Sequence, residues 1–293
     1  MNRKTLATLL SVLVVTGCTL NRSDLRRETM FQTRIGGNGK VIEPKRCGLQ
    51  VAILSRPLRD ADLNAVWRVA DQQMINAEAH HALEVNGLRI GLITGDLPAE
   101  VDSIIKAPPP HKVEPAEFML PDGEHAMINL CEATPMVSLL LNRQDQAVGK
   151  DYTDASGWLR VTANQEGASG VTLRFVPEIH HGPMQHSFGA VPNGGNYSPQ
   201  QFMVKDSQQE ETLRELAATL TLQPGQVAVV GGRPEADRSL GSFLFNQPEV
   251  HSDRLSQKVV LIWASRTTAA AAEVPKGLVP VDPPDMAAKK ENR

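Results

Sequence analysis

The chain has 293 residues, a formal net charge of -3 at pH 7, 41% hydrophobic and 4% aromatic residues, and three cysteines. That length accommodates one large domain or two small ones with real cores. Mild acidity without a basic stripe excludes a nucleic-acid binder. The few aromatics, three Trp, two Tyr and seven Phe, exclude an aromatic-lined carbohydrate cleft.

The first elements are signals. Arg3 and Lys4 precede an apolar run from Leu6 to Val15. At about 10 residues it is too short to span a bilayer and has the proportions of an export signal. It ends in Val15-Thr16-Gly17-Cys18, which resembles the lipobox of bacterial lipoproteins. The resemblance implies a signal peptide over 1–17, a diacylglyceryl group on the Cys18 thiol and an acylated new amino terminus. Several acyl chains give stable membrane anchoring. Thr19 in place of Asp points to the outer membrane, facing the periplasm. An ordinary signal peptide with a chance cysteine is the rival reading. Residues 18–46 are polar and without period, a tether. Its "GGNGK" lacks the spacing, the Ser or Thr and the preceding strand of a phosphate loop.

Residues 47–107 predict a small α/β domain. "LQVAIL" is a short buried strand. Leu63, Val66, Trp67, Ala70 and Met74 share one helix face, with Asp60 or Asp62 as cap. "AEAHHALEV" is a second helix that stops at Asn86-Gly87. "LRIGLIT" is a strand, and "LPAEVDSII" a third helix capped by Asp96. Three consecutive prolines then mark a linker over 108–114. Oxidising surroundings would allow Cys47 and Cys131 to pair. The loop closed would be roughly 85 residues, stabilising by about 4–5 kcal/mol. Two separately buried thiols account for the same apolar flanks.

From 115 to 266 the period is two, predicting a mainly antiparallel β-domain. "VTLRFVPEI" places Val171, Leu173 and Phe175 on one face and Thr172 and Arg174 on the other. "HGPMQHSFGAVPNGGNYSP" is a long loop or hairpin tip. "TLTLQPGQVAVVGG" predicts a hairpin with a type II turn at Pro224-Gly225. The tail 267–293, rich in alanine, proline and charge, predicts disorder. The fold class expected is α+β.

The order of these last segments resembles the C-terminal β-domain of bacterial secretins, the ring-forming outer-membrane channels of secretion and pilus systems. Pro177 and Ile179 match that family's "P-x-I" strand end. Gly225, Gln226, Val229, Val230, Gly231 and Gly232 match its "dGq-tvvigG" segment. Leu240, Gly241, Leu244 and Phe245 match "LG-x-LF", and Leu261 and Ile262 the terminal strand. "RPEADRS" departs from the family's run before "LG-x-LF". The excursion 180–218 holds only Phe188, Tyr197 and Phe202 as aromatics, too few for the girdles of a transmembrane barrel.

Histidine carries the remaining chemistry. His80 and His81 share a predicted helix with Glu78 and Glu84, an exposed ion-paired face. His180, His181 and His186, with Glu178, offer a ligand set for zinc or copper around a turn, or else a solvated strand end. No Gly-x-Ser-x-Gly elbow, His-Glu-x-x-His or dinucleotide motif occurs. The expectation is a non-enzymatic, lipid-anchored envelope protein without a cofactor. Its β-domain would serve interaction or assembly with other envelope proteins, and an oligomer is compatible with it. The alternatives are a reduced secretin or secretin-partner subunit, and a histidine-cluster metal binder.

Overall fold

The structure, a computed structural model, describes residues 34–35, 41–42, 45–109, 111–143, 146–190, 202–248 and 254–267. The signal peptide, Cys18 and the 268–293 tail lie outside the described residues. The chain divides into two units, Met1–Glu43 and Pro44–Arg293. In the first, β1 (Arg34–Ile35) pairs antiparallel with β2 (Val41–Ile42), a short ladder inside the expected tether.

The second unit is α+β and mostly antiparallel sheet. Its elements begin with β3 (Arg46–Pro57), α1 (Ala61–Asn64), α2 (Val66–Val69), α3 (Ala77–Val85), β4 (Leu88–Thr94), α4 (Ala99–Ile105) and β5 (Ala116–Pro121). Three long strands follow, β6 (His125–Arg143), β7 (Gln146–Glu166) and β8 (Gly170–Ala190). Then come β9 (Phe202–Thr212), a 3-10 turn (Arg214–Leu216), β10 (Ala218–Leu222), β11 (Gln226–Gly232), α5 (Leu240–Phe245), β12 (Asn246–Pro248) and β13 (Leu255–Thr267). One sheet has the order β4-β11-β13-β3-β5, with β12 on β13. The other has the order β10-β8-β7-β6, with β9 also on β8.

The apolar pattern explains the layering. "VAVV" in β11 and "VVLI" in β13 are continuous because the first sheet is buried on both faces. Ala228, Val230, Val260 and Ile262 join the core shared with the second sheet. Val227, Val229, Val259 and Leu261 pack with Leu63, Val66 and Val101 of the helices. The second sheet keeps a wet face and alternates: Val171, Leu173 and Phe175 are buried, while Arg174 is exposed.

Four expectations change, the last at Pro224-Gly225. The 108–114 linker divides no domains, because β3 and β4 pair with β13 and β11 in one sheet. Contacts distant in sequence, invisible to local composition, decide this. The single helix through Met74 breaks into α1 and α2. Asp60 caps it as expected, accepting from the Leu63 amide at 2.9 Å. The chain then turns extended at Ala70, and Asp71 exchanges two backbone hydrogen bonds with Leu92 at 2.8 and 2.9 Å. Pairing with the edge of β4 outweighs helical periodicity and leaves Met74 exposed. The third helix starts at Pro98 without a side-chain cap, so Asp96 does not cap it.

The Pro224-Gly225 segment is a crossover between sheets. β10 pairs with β8 in the second sheet, whereas β11 pairs with β4 and β13 in the first. The turn itself is as expected: the Gln226 amide donates to the Gln223 carbonyl at 3.0 Å, and Gly225 has φ +84°. Alternation alone cannot tell a hairpin from a strand pair that splits between layers. No atom lies within 4 Å of where a Cβ on Gly225 would sit, so a side chain there meets only backbone strain. Gly225→Val should therefore lower stability by about 1–3 kcal/mol, read as a lower thermal midpoint with unchanged circular dichroism at permissive temperature.

Candidate functional site: the polar clusters of the second sheet

The second sheet is where polar side chains gather, and strand β8 organises them. β10 flanks β8 along Val171–Phe175, and β9 takes over from Glu178 onward. Between the two the chain makes its 3-10 turn. The Leu213 amide donates to the Pro177 carbonyl at the handover, 3.0 Å.

Glu178 sits at this point with a fully buried side chain. Arg160 of β7 grips it with two hydrogen bonds, Nε to Oε1 at 2.5 Å and Nη2 to Oε2 at 3.1 Å. The Thr212 hydroxyl adds a third at 3.1 Å, from the last residue of β9. His180 Nε2 lies 3.5 Å from Oε2, its ring stacked on Trp158 at 5.3 Å between centroids. Arg160 Nη1 is also 2.9 Å from His125 Nε2. Burial pushes the Glu178 carboxyl up, but Arg160, then Thr212 and His180, outweigh it and hold the group below the usual carboxylate range.

A second cluster forms around Glu211 of β9. Arg143 of β6 donates to it, as do Lys150 at 2.5 Å and the Tyr152 hydroxyl at 3.0 Å, both of β7. Arg143 also pairs with Glu215 at 3.1 Å. Burial, then the charge of Glu211, pushes the Tyr152 hydroxyl well above its ordinary value. The two clusters fasten β9 to β6, β7 and β8. Their carboxylates are saturated by cations and hydroxyls.

His180 and His181 face opposite sides of the sheet. Successive strand residues face opposite sides of a sheet. His180 accordingly meets Trp158 and Glu178, while His181 lies edge-on to Tyr152 at 5.1 Å. His186 is opposite Asp206 in the ladder, beyond a register shift between His181 and Gln185. Among the described residues no group of three His, Cys, Asp or Glu is placed to hold a metal ion. At Gly182-Pro183 the strand kinks without reversing, with Gly182 at φ +81° inside the register shift. On α3, His80 Nδ1 is 4.0 Å from Glu84, whose carboxylate also pairs with Arg233 at 2.7 Å, an exposed ion-paired face.

The residues on which the resemblance to secretins rests lie mainly in two places. Pro177 and Ile179 are at the β8 handover, Ile179 fully buried. Gly232, Leu240, Gly241, Leu244 and Phe245 belong to the seat of α5. The Gly241 amide donates to the Asn86 carbonyl at 2.9 Å. A Cβ on Gly232 would stand 2.7 Å from the Gly241 carbonyl, and one on Gly231 2.8 Å from the Trp67 ring. Leu240, Leu244 and Phe245 are buried beneath, and Gln226 Nε2 ties the turn to the Thr94 hydroxyl at 2.9 Å. These glycines allow close approach of backbone and ring, a packing role.

Cys47 and Cys131 are free and buried, so the expected disulfide is replaced by two separate thiols. Cys47 pairs across β13 with Arg266. Cys131 belongs to the second sheet, beside Leu130, whose carbonyl accepts from Lys258 at 2.8 Å. From Lys258 to Arg266, β13 runs about 26 Å at a strand's rise, far beyond the ~7 Å between Cα atoms that a disulfide bridges.

Arg160, Trp158, Thr212 and Tyr152 were not singled out from sequence; Glu210-Glu211 reads there as a solvated acidic face, whereas Glu211 is mostly buried against Arg143 and Lys150. Each lies in a polar or mixed stretch, and only the strand register brings them together. Glu178→Gln should cost about 3–5 kcal/mol at neutral pH, because it leaves Arg160 without its counter-charge. A depressed carboxyl contributes stability that is present above the unfolded carboxylate range and is lost as pH falls through the folded value. Denaturation from pH 7 to 3 should thus lose more stability in the native protein than in Glu178→Gln. Thiol titration in denaturant without reductant should count Cys47 and Cys131 as free; their absence from the count would contradict the placement on separate sheets.

No family model matches the chain, and no curated protein or solved structure matches it either.

Proposed function

We propose that the chain is a non-enzymatic envelope lipoprotein, anchored through Cys18, whose second sheet serves assembly with other envelope proteins. The observation that supports this reading most is a bare ribbon. β7 pairs with β8 only along Ser156–Glu166 and Gly170–His180. Beyond His180, β8 continues to Ala190 with β9 as its one partner strand among the described residues. A two-stranded ribbon is at best marginally stable in water, and its edges present unpaired backbone groups suited to another chain. The β6–β7 ribbon differs. Bulges between Asn129 and Thr134 precede its far end, where Leu139 and Leu141 are buried and Asn142 is bonded twice to Asn86.

The alternative, a reduced secretin or secretin-partner subunit, is favoured by the contiguity of the matched residues around β11, α5 and β13. Both readings place function in the β8–β9 ribbon, and the product assembled separates them.

The test replaces residues 186–206 by Asn-Gly, which closes a two-residue hairpin between Gln185 and Ser207. The shortened protein should keep its melting temperature and its labelling by an alkyne fatty acid, yet lose partners cross-linked in its own envelope. Cys18→Ala should lose the label. Undiminished cross-linking of the shortened protein, or a labelled Cys18→Ala variant, would remove the assembly or the anchoring part of the reading. Detergent-resistant multimers of the native chain would favour the secretin alternative.

A further inference from the structure

One partly buried cation forms no ion pair among the described residues. Arg89 stands on β4 opposite Gly231 of β11, on the helix side of the first sheet. Its guanidinium lies 4.0 Å over the Trp67 ring and gives one hydrogen bond, to Asn64 Oδ1 at 3.0 Å. No carboxylate among the described residues forms an ion pair with it. Its Nε is buried without a partner, and so is Nε1 of the Trp67 indole on which it stacks. An arginine carries five N–H donors, and a buried charge left unpaired is costly. The surroundings add to the imbalance. Arg233 repels Arg89 and is itself committed to Glu84 at 2.7 Å. Glu235 attracts Arg89 through space without touching it. Burial, the largest influence, lowers the Arg89 pKa to about 10.

The geometry points to an oxyanion site in which Arg89 and the Trp67 indole N–H donate to one anionic group, with Arg233 adding positive field. The glycine at 231 is part of this arrangement: any side chain there would displace the Trp67 ring, at 2.8 Å from its Cβ. A guanidinium with free donors beside an N–H suits the planar fork of a carboxylate or the tetrahedral oxygens of a phosphate. The Glu235 carboxylate attracts Arg89 from a distance and repels an incoming anion.

The test is titration of the full chain with sodium phosphate, sulfate and acetate at constant ionic strength against chloride, by calorimetry and melting temperature. At least one oxyanion should bind saturably and raise the melting temperature. Preference for phosphate and sulfate assigns a phosphate-type ligand, and preference for acetate a carboxylate. Trp67→Phe keeps the stacked ring and removes one donor, so it should weaken binding about tenfold. Arg89→Gln should abolish it, and Glu235→Gln should tighten it. Arg89→Lys, which keeps the charge, guards against simple loss of folding and should retain weakened binding. The proposal fails if no oxyanion stabilises the protein beyond chloride, if Arg89→Gln binds as the native chain does, or if Glu235→Gln weakens binding.

Discussion

The middle strands of the first sheet have no solvent side. Val227, Val229, Val259 and Leu261 meet the helices, while Ala228, Val230, Val260 and Ile262 meet the second sheet. A strand buried on both faces cannot carry charge without a partner, so polar groups in this layer are confined to its margins. Arg89, Asn64 and Gln257 gather at one such margin, and the Asn64 amide is 3.4 Å from Gln257 Oε1. The second sheet, dry on one face only, holds the denser polar networks.

That division gives β8 its importance. It is core strand where β10 and β7 flank it and ribbon where β9 alone does. The change of partner leaves a gap between the end of β9 and the start of β10. The chain fills that gap with the Leu213 amide bond and the 3-10 turn. The Arg160–Glu178–Thr212 contact ties three strands at the same place. A buried ion pair of this kind contributes little net stability compared with an apolar pair of the same shape. Its value is in fixing register, because only one alignment of β7, β8 and β9 satisfies the Glu178 carboxylate. The ribbon beyond is positioned by this alignment.

The glycines of "VVGG" and "LGSF" share one reason for being small. α5 approaches β11 and the Asn86-Gly87 turn so closely that a Cβ on Gly241 would collide with the Gly87 carbonyl. Asn86 completes the joint. Its side chain donates to the Ala82 and Asn142 carbonyls, each at 2.9 Å, and accepts from the Asn142 amide at 2.8 Å. One buried amide thus ends α3 and holds β6, while the Asn86 main chain receives α5. The secretin-like residues are placed by this packing, and a packing motif constrains a fold more tightly than it constrains an activity.

The sequence by itself determined the local elements. Period two marked β8 and β10, continuous apolar runs marked β11 and β13, Asp60 and Gly87 marked helix ends, and Pro224-Gly225 marked a turn with positive φ. These signals are carried by neighbours along the chain, and local physics suffices for them. Tertiary structure alone decided which strand pairs with which. It sent β10 and β11 to different sheets, inserted β3 and β4 among strands more than a hundred residues later, broke the helix after Val69 to meet Leu92, and drew polar stretches such as Gln146–Ala155 into strands. Backbone hydrogen bonding is the same for every residue but proline, so strand partners leave little trace in composition. The site was hidden for the same reason: Arg160, Glu178 and Thr212 are ordinary polar residues until register brings them within hydrogen-bonding distance.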